Sequence, residues 1–551
     1  MLLSCCFFCA FGQNLNLKIY GASEVETLSI DSLNYQKKHK DLVSLENEIN
    51  TSLQTLYKKG YLESYAENIK KINDSSFICK INLNNLYEYL EVFYNTKKDL
   101  LKDILRDKHP NPFTLKFSKT ESTLNELNEN IGNKGFPFIK LKLDNFKIKD
   151  KKTVTAYLVI DDTSKKRTIN NIVVKGYEKF PKSFLKYYLK IKPKQTFNLN
   201  KIKKQIRALQ SLSFASEIKT PEVLFTKDST TLYLYINKKQ SNAFDGFLGF
   251  GSNEDTNKIE FDGYLNLNLV NNLNFGESFK LLYKSDENDQ KTFNANLSLP
   301  YIFKSPVGLD LGLNIFKKDS TFTTAIQCAK LHYQINPEQK FYSGIINETS
   351  SNLLNNTQTA FFDYKKNYFT IGYQYSKPQN NDILFPVNTL FYIESNFGER
   401  KQKNNTTKQS SQAINTFKIF NLNKKNSLYF KLSGAVINSR SFFENELLRF
   451  GGINSIRGFE ENSLYATLFG VMNTEYRLKL NSNIYIHSVI DAGYYENEII
   501  NVNEKLFGYG FGFGIFTKSG LFKLNYANGK SEGQQFKFSN SKVHISLTTI
   551  F

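Results

Sequence analysis

Leu447-Leu448-Arg449-Phe450-Gly451-Gly452-Ile453-Asn454-Ser455-Ile456-Arg457-Gly458-Phe459 lies between two long alternating stretches, one ending near Asn438 and the next starting near Ser463. A Gly-Gly pair followed by Arg-Gly-aromatic is an unusual composition for a surface loop. Gly451, Gly452 and Gly458 permit positive φ and close backbone approach. Arg457 presents a rigid five-donor fork suited to a fixed carboxylate. Taken alone, the tripeptide fits equally well a glycine-rich hairpin turn with an incidental Arg. Its surroundings decide, and they favour a loop that folds inward and locks against a wall.

The 551 residues suggest two to four domains. An aromatic load of 48 Phe and 32 Tyr without Trp suits strands better than helical bundles. Mean hydropathy is −0.42, and no run past the N-terminus is long and apolar enough for a transmembrane helix. A membrane barrel escapes that test, because its strands alternate. The net charge of +20 raises the question of nucleic acid, but the Lys are scattered and no basic helix, zinc spacing or ribonucleoprotein motif accompanies them. Solvated Lys-rich surfaces are the economical account, so no nucleic-acid partner is expected. Cys5, Cys6 and Cys9 sit in the leader, leaving Cys79 and Cys328, too few for a disulfide framework or metal cluster. The five His stand apart in sequence, so neither metal nor cofactor is expected.

Residues 1–12 (MLLSCCFFCAFG) read as a signal peptide cleaved before Gln13. Its positive n-region is missing, which points to residues lost upstream. Leu2-Leu3-Ser4-Cys5 also fits a lipobox that would lipidate Cys5. Either route exports the chain.

Residues 13–240 read as three small α+β modules, 13–84, 85–165 and 166–240. The first has a strand at 17–21, a helix at 42–59 with apolar positions 42, 45, 49, 53 and 56, and Gly60 as its stop. Tyr61-Leu62 then opens a strand, and another runs over 77–83. In the second, a helix over 121–131 is stopped by Gly132 and Gly135, and 136–148 pairs with 153–160 as a hairpin. The third runs strand (169–176), helix (181–189), helix (200–212), strand (214–225), strand (231–236). That order, with INNIVVKG as its first strand, resembles POTRA domains.

Beyond Asn242 the period is 2 almost throughout, and residues 241–551 supply about 16 strands of a transmembrane antiparallel β-barrel. Near the C-terminus Met472, Thr474, Tyr476 and Leu478 share one face, with Asn473, Glu475, Arg477 and Lys479 on the other. Ile486 and Ile490 oppose Tyr485, His487 and Asp491. Phe507, Tyr509, Phe511 and Phe513 oppose Gly508, Gly510, Gly512 and Gly514. Apolar rows facing lipid and polar or glycine rows facing a lumen are the barrel pattern. Asp491 and Glu475 thereby fall on the lumenal side, where the glycine row clears space for a loop and Arg457 reaches a carboxylate.

GGxxSxRGF (Gly451 to Phe459), Asn473-Thr474-Glu475-Tyr476-Arg477, Ile490-Asp491-Ala492-Gly493 and the terminal Phe551 together resemble the BamA/TamA superfamily of outer-membrane assembly factors. The resemblance implies that the Arg-Gly-aromatic tip (Arg457, Gly458, Phe459) of the sixth extracellular loop threads the lumen. It implies contact with Asp491 and, less directly, Glu475. It also implies a bacterial outer-membrane location with the modules in the periplasm. The sequence shows no nucleophile–base pair, metal set or phosphate loop, so no enzymatic activity or catalytic residue is expected. The clients would be unfolded outer-membrane or surface proteins, and the other partners the lipid bilayer and a periplasmic or inner-membrane assembly component. Clients would enter at a lateral seam between 244–251 and 543–551, carrying Phe247, Gly249, Leu547 and Phe551. A two-partner-secretion transporter of one exoprotein is the alternative, and a passive porin a third. Gly508-Tyr509-Gly510-Phe511-Gly512 superficially evokes a nucleotide loop, but it continues as strand with no helix after it.

Overall fold

The computed structural model describes residues 14–95, 105, 110–160, 165–252, 259–285, 290–354, 361–379, 382–403, 405–517, 520–535, 537–538 and 541–550. The leader and Phe551 lie outside the described residues. The chain divides into two compact units, the first reaching Asn170 with 194–201 and 226–230, the second holding the remainder.

In the first unit, Leu15–Tyr20 pairs in parallel with Ser76–Asn82. The helix Leu42–Lys59 covers this sheet through Leu45, Ile49 and Leu56. Its ends are well defined. Asp41 and Ser44 form a capping box, and Gly60 closes the helix at φ 109°, a left-handed conformation that glycine adopts without steric cost. Tyr61-Leu62 does not open a strand. The chain turns there and pairs only from Tyr65, because the Tyr61 amide bonds back to the Leu56 carbonyl. A helix at Glu24–Asp31 carries little sequence signal, since Ile30 is its one buried residue.

A second sheet joins Tyr89–Tyr94, Phe113–Lys116, Leu141–Ile148 and Thr153–Ile160. Its helix, Thr120–Asn133, runs through Gly132 rather than stopping there, and Gly135 takes the left-handed position. The strand expected from Phe136 begins at Leu141, because the Phe136 amide still caps the helix at Ile131. In a third sheet Asn171–Gly176 runs parallel to Thr230–Lys238, which also pairs with Ala215–Phe225. The segment expected as one helix over 181–189 winds as a π-turn at Phe184–Tyr188. Leu199–Ile206 is α-helical and tightens to 3-10 over Arg207–Ser211.

The second unit contains sixteen antiparallel strands among the described residues, arranged as a barrel. They are β1 Ala243–Ser252, β2 Ile259–Val270, β3 Ser278–Ser285, β4 Gln290–Leu299, β5 Val307–Lys318, β6 Phe322–Asn336, β7 Gln339–Asn352 and β8 Tyr364–Pro378. They continue as β9 Val387–Gln402, β10 Asn405–Asn421, β11 Asn426–Asn438, β12 Leu468–Lys479, β13 Ile484–Asn497, β14 Val502–Thr517, β15 Gly520–Ser531 and β16 Ser541–Ile550. Alternation is plain in β8, where Tyr364, Lys366, Tyr368 and Thr370 are buried while Phe369 and Ile371 face outward. Met472, Tyr476, Ile486, Ile490, Tyr509 and Phe511 are likewise exposed, an apolar exterior of the kind a bilayer requires.

An even strand number puts both barrel ends at the mouth where the third sheet leads in. Within this unit, Asn271 in the β2–β3 turn donates to the Tyr177 hydroxyl at 2.7 Å, and Tyr177 donates to Asn274 at 2.6 Å. Lys190 donates to the Ile335 carbonyl at 3.0 Å at the end of β6. The segment 439–467 is the sixth connection at the opposite mouth. Leu464–Ala466, near the expected start of a long strand, instead pairs with Leu448–Phe450 as a ribbon inside this connection.

β1 pairs with β2 at every position from Ala243 to Ser252. Against β16, among the described residues, it pairs at Ala243–Ile550 and Phe244–Thr549. Phe247 and Gly249 on β1, and Leu547 on β16, lie beyond this paired part of the seam. We therefore expect Phe244→Cys with Thr549→Cys to form a disulfide on mild oxidation, and Phe247→Cys with Leu547→Cys to form far less. Burial pushes the Cys79 thiol up to about 11, which keeps it quiet in such an assay. Equal yields for the two pairs, in a Cys328→Ser background, would contradict this register.

Candidate functional site: the inward loop of the barrel

The connection 439–467 turns into the lumen because its composition leaves it little alternative. Phe450, Ile456 and Ala466 are apolar and join Val471, Tyr495 and Leu506 of the wall in one buried cluster, with Phe450 stacked on Phe469 at 4.5 Å between centroids. Gly451, Gly452 and Gly458 hold φ of 112°, 90° and 92°. Gly458 has no room for a side chain, since a Cβ there would stand 2.4 Å from the Gly529 amide of β15. Gly508 on β14 is equally constrained, because its Cβ would meet the Arg457 carbonyl at 2.3 Å.

The glycine row of β14 thus makes room for the loop at Gly508 alone. Gly512 and Gly514 instead accommodate His487 and Tyr485 of the neighbouring strand. The glycine that seats Gly458 and Phe459 is Gly529, one strand further on.

Arg457 is 5 % exposed and Asp491 1 %. The Arg457 backbone N–H and its Nε both donate to Asp491 Oδ2 at 2.9 Å, and Nη2 donates to Oδ1 at 2.6 Å. Among the described residues, Arg457 alone supplies the hydrogen bonds to that carboxylate. Nη1 donates to Glu475 Oε1 at 2.5 Å. Glu475 is shared, since Arg477 Nε donates to its other oxygen at 2.7 Å. Two guanidinium groups and two carboxylates make a neutral set. Neutrality matters here, because burying an unpaired ion costs several kcal/mol.

Further contacts fix the tip. Lys431 on β11 donates to the Asn454 carbonyl at 2.7 Å, Asn473 on β12 to the Ser455 carbonyl at 2.7 Å, and Lys542 on β16 pairs with Glu460 at 2.8 Å. Beside the tip lies a cavity of about 1020 Å³, lined among others by Asp245, Tyr264, Lys284 and Lys523.

The structure therefore brings Arg457, Asp491 and Glu475 together, with Gly458 against the wall. Phe459 packs at the edge of the apolar cluster. The side chains at Phe247, Gly249 and Leu547 lie outside the described residues. Sequence reasoning gave no role to Arg477, although it stands two residues from Glu475 on the same lumenal row. It also missed Glu446, whose side chain is fully buried against Arg400 and Lys366. A carboxylate just ahead of the glycine pair, with lumenal cations on alternating strands, was the available signal.

Residues 167–239 match the POTRA family model, described as surface antigen variable number repeat. Among solved structures, the chain is similar to BamA from Haemophilus ducreyi lacking POTRA domains 1-3, at 14 % identity and TM-score 0.50, covering 85 % of this chain and 100 % of that one. CdiB from Acinetobacter baumannii aligns at 16 % identity and TM-score 0.52 over 96 % of this chain and 100 % of that one. CdiB from Escherichia coli aligns at 12 % and 0.54 over 91 % and 98 %. No curated protein matches the sequence. The fold is accordingly that of a POTRA domain leading into a sixteen-stranded barrel, the architecture of BamA and CdiB.

Replacing Arg457 by Ala strands Asp491 more than Glu475, since Glu475 keeps Arg477. The local cost should be about 3–5 kcal/mol. Asp491→Asn in that background should recover more of the loss than Glu475→Gln does, a less-than-additive pair read by thermal unfolding of the folded barrel. Additive losses for Arg457→Ala and Asp491→Asn would contradict the pairing. Gly508→Ala should loosen the tip with no charge altered.

Proposed function

We propose that this protein is an assembly or translocation factor of the bacterial outer membrane. Its POTRA-type modules would stand in the periplasm, and its barrel would open laterally toward the bilayer. The observation that carries this reading is the seam. Among the described residues, neighbouring strands share eight residue pairs between β15 and β16 and ten between β1 and β2, against two between β1 and β16. At about 1 kcal/mol net per backbone hydrogen bond, unzipping the seam costs a few kcal/mol, where any other strand pair costs several times more. A client strand pairing with the freed edge of β1 or β16 would recover those bonds, so the exchange is close to balanced. No catalytic group is needed for such a step.

Unfolded outer-membrane or surface proteins are the clients this mechanism suits. They would be received on the periplasmic modules and passed to the seam, with the long connection 439–467 reaching in from the cell exterior. The third sheet, tied to the barrel turns through Tyr177 and Lys190, would hold the last module at the barrel mouth.

A second reading has support in the CdiB likeness, which covers more of this chain than the BamA likeness does. CdiB is a two-partner-secretion transporter, and a protein of that type would export one dedicated exoprotein. Three modules before the barrel favour the assembly reading.

Depleting the protein and quantifying the outer-membrane proteome separates the two. Loss of many barrel proteins is the expected result, and it should be reproduced by the Phe244→Cys, Thr549→Cys variant when oxidised and relieved by reductant. Loss of a single secreted protein with an unchanged outer membrane would favour the transporter. Full function with the seam locked would remove lateral opening.

A further inference from the structure

The loop's entering limb, residues 441–449, is bound as closely as its tip, but to a different part of the wall. Arg400 on β9 donates to the Ser441 hydroxyl at 2.7 Å and stacks its guanidinium over Phe443 at 3.7 Å. Asn445 donates to the Ser350 hydroxyl on β7 and to the Phe362 carbonyl, both at 2.8 Å. The Glu446 carboxylate, with 0 % side-chain exposure, takes hydrogen bonds from Arg400 and from Gln409 on β10, and lies 3.3 Å from Lys366 on β8. Arg449 sits over the Phe316 ring at 3.8 Å.

The charges at the two ends are complementary. On the β7–β9 wall, Lys366 and Arg400 face Glu348, which lies 3.2 Å from Lys366. Without Glu446, Arg400 has no paired carboxylate among the described residues. On the β12–β13 wall, Arg477 pairs with Glu475, and without Arg457 the Asp491 carboxylate has no ion-pair partner among the described residues. The loop thus brings Arg400 its carboxylate and Asp491 its guanidinium, while Arg449 enters beside the first over Phe316. Arg400 and Asp491 each find their ion-pair partner, among the described residues, on the loop.

We propose that the loop is a strut latched at both ends, with Glu446 the positioning residue of a second latch, and that the lumen opens only when both latches release. Losing Arg457 then leaves the limb docked and the passage obstructed. This inference concerns the loop alone and stands whichever client the protein serves.

The test uses the full-length folded protein in planar phosphatidylcholine bilayers, reading the fraction of time spent in a large-conductance state. Arg457→Ala alone should remain mainly closed. Adding Glu446→Gln should raise its open fraction about tenfold or more, the scale of one lost charged hydrogen bond. Glu446→Asp, which keeps the charge, should stay close to the Arg457→Ala parent. A merely structural role would not distinguish Gln from Asp in this way. The proposal is overturned if Arg457→Ala alone is as open as the double variant, or if Glu446→Gln leaves its open fraction unchanged. Should Glu446→Gln fail to fold, Asn445→Ala removes the bonds to Ser350 and Phe362 without changing charge. It must also raise the open fraction, and no rise there overturns the second latch.

Discussion

A guanidinium buried between two carboxylates inside a barrel is the constraint that orders the rest of this structure. Sixteen strands enclose a lumen wider than the wall side chains can fill. The connection 439–467 occupies it, and with it Arg457, whose charge is tolerable there only because Asp491 and Glu475 meet it directly. Glu475 in turn requires Arg477. The sterics follow from the electrostatics. To bring the Arg457 backbone within 2.9 Å of Asp491, the chain must pass where a side chain at 508 would stand, so that position is glycine. Gly458 and Gly529 meet backbone to backbone for the same reason.

The barrel's own stability has a different source, its ladder of inter-strand hydrogen bonds, and that ladder is uneven. It is continuous from β1 to β16 and thin where the circle closes. The tip of the loop reaches toward this thin place. Its contacts run from Lys431 on β11 to Lys542 on β16, and the adjoining cavity is bordered by Asp245 on β1. A weak seam thus lies beside a firmly held loop.

Much of this was legible in the sequence wherever one residue's neighbours along the chain determine its environment. The helix 42–59 was readable because Leu45, Ile49 and Leu56 repeat at helical spacing between an Asp cap and a Gly stop. The lumenal face of β12 and β13 was readable because alternation puts Glu475, Arg477 and Asp491 on one side. What failed depends on partners distant in sequence. Glu446 looks like a solvated loop acid until β8 and β9 bring Lys366 and Arg400 to it. Gly510, Gly512 and Gly514 looked like clearance for the loop, yet Tyr485 and His487 from β13 fill the space at 514 and 512. Leu464–Ala466 alternates like the start of β12, but it pairs locally with Leu448–Phe450. Phe136 and Tyr61 follow helix stops and look extended, whereas their amides are retained by the last turn of the helix.

Backbone hydrogen exchange on the intact protein in lipid bilayers, resolved at residues 453–459, tests the central claim most directly. The Arg457 amide donates to a carboxylate buried in the lumen, so the account predicts exchange as slow as that of the β13 amides around Asp491. Exchange at Arg457 as fast as in the exposed turn at 498–501 would mean that the loop is not held inside the barrel, and would contradict the account.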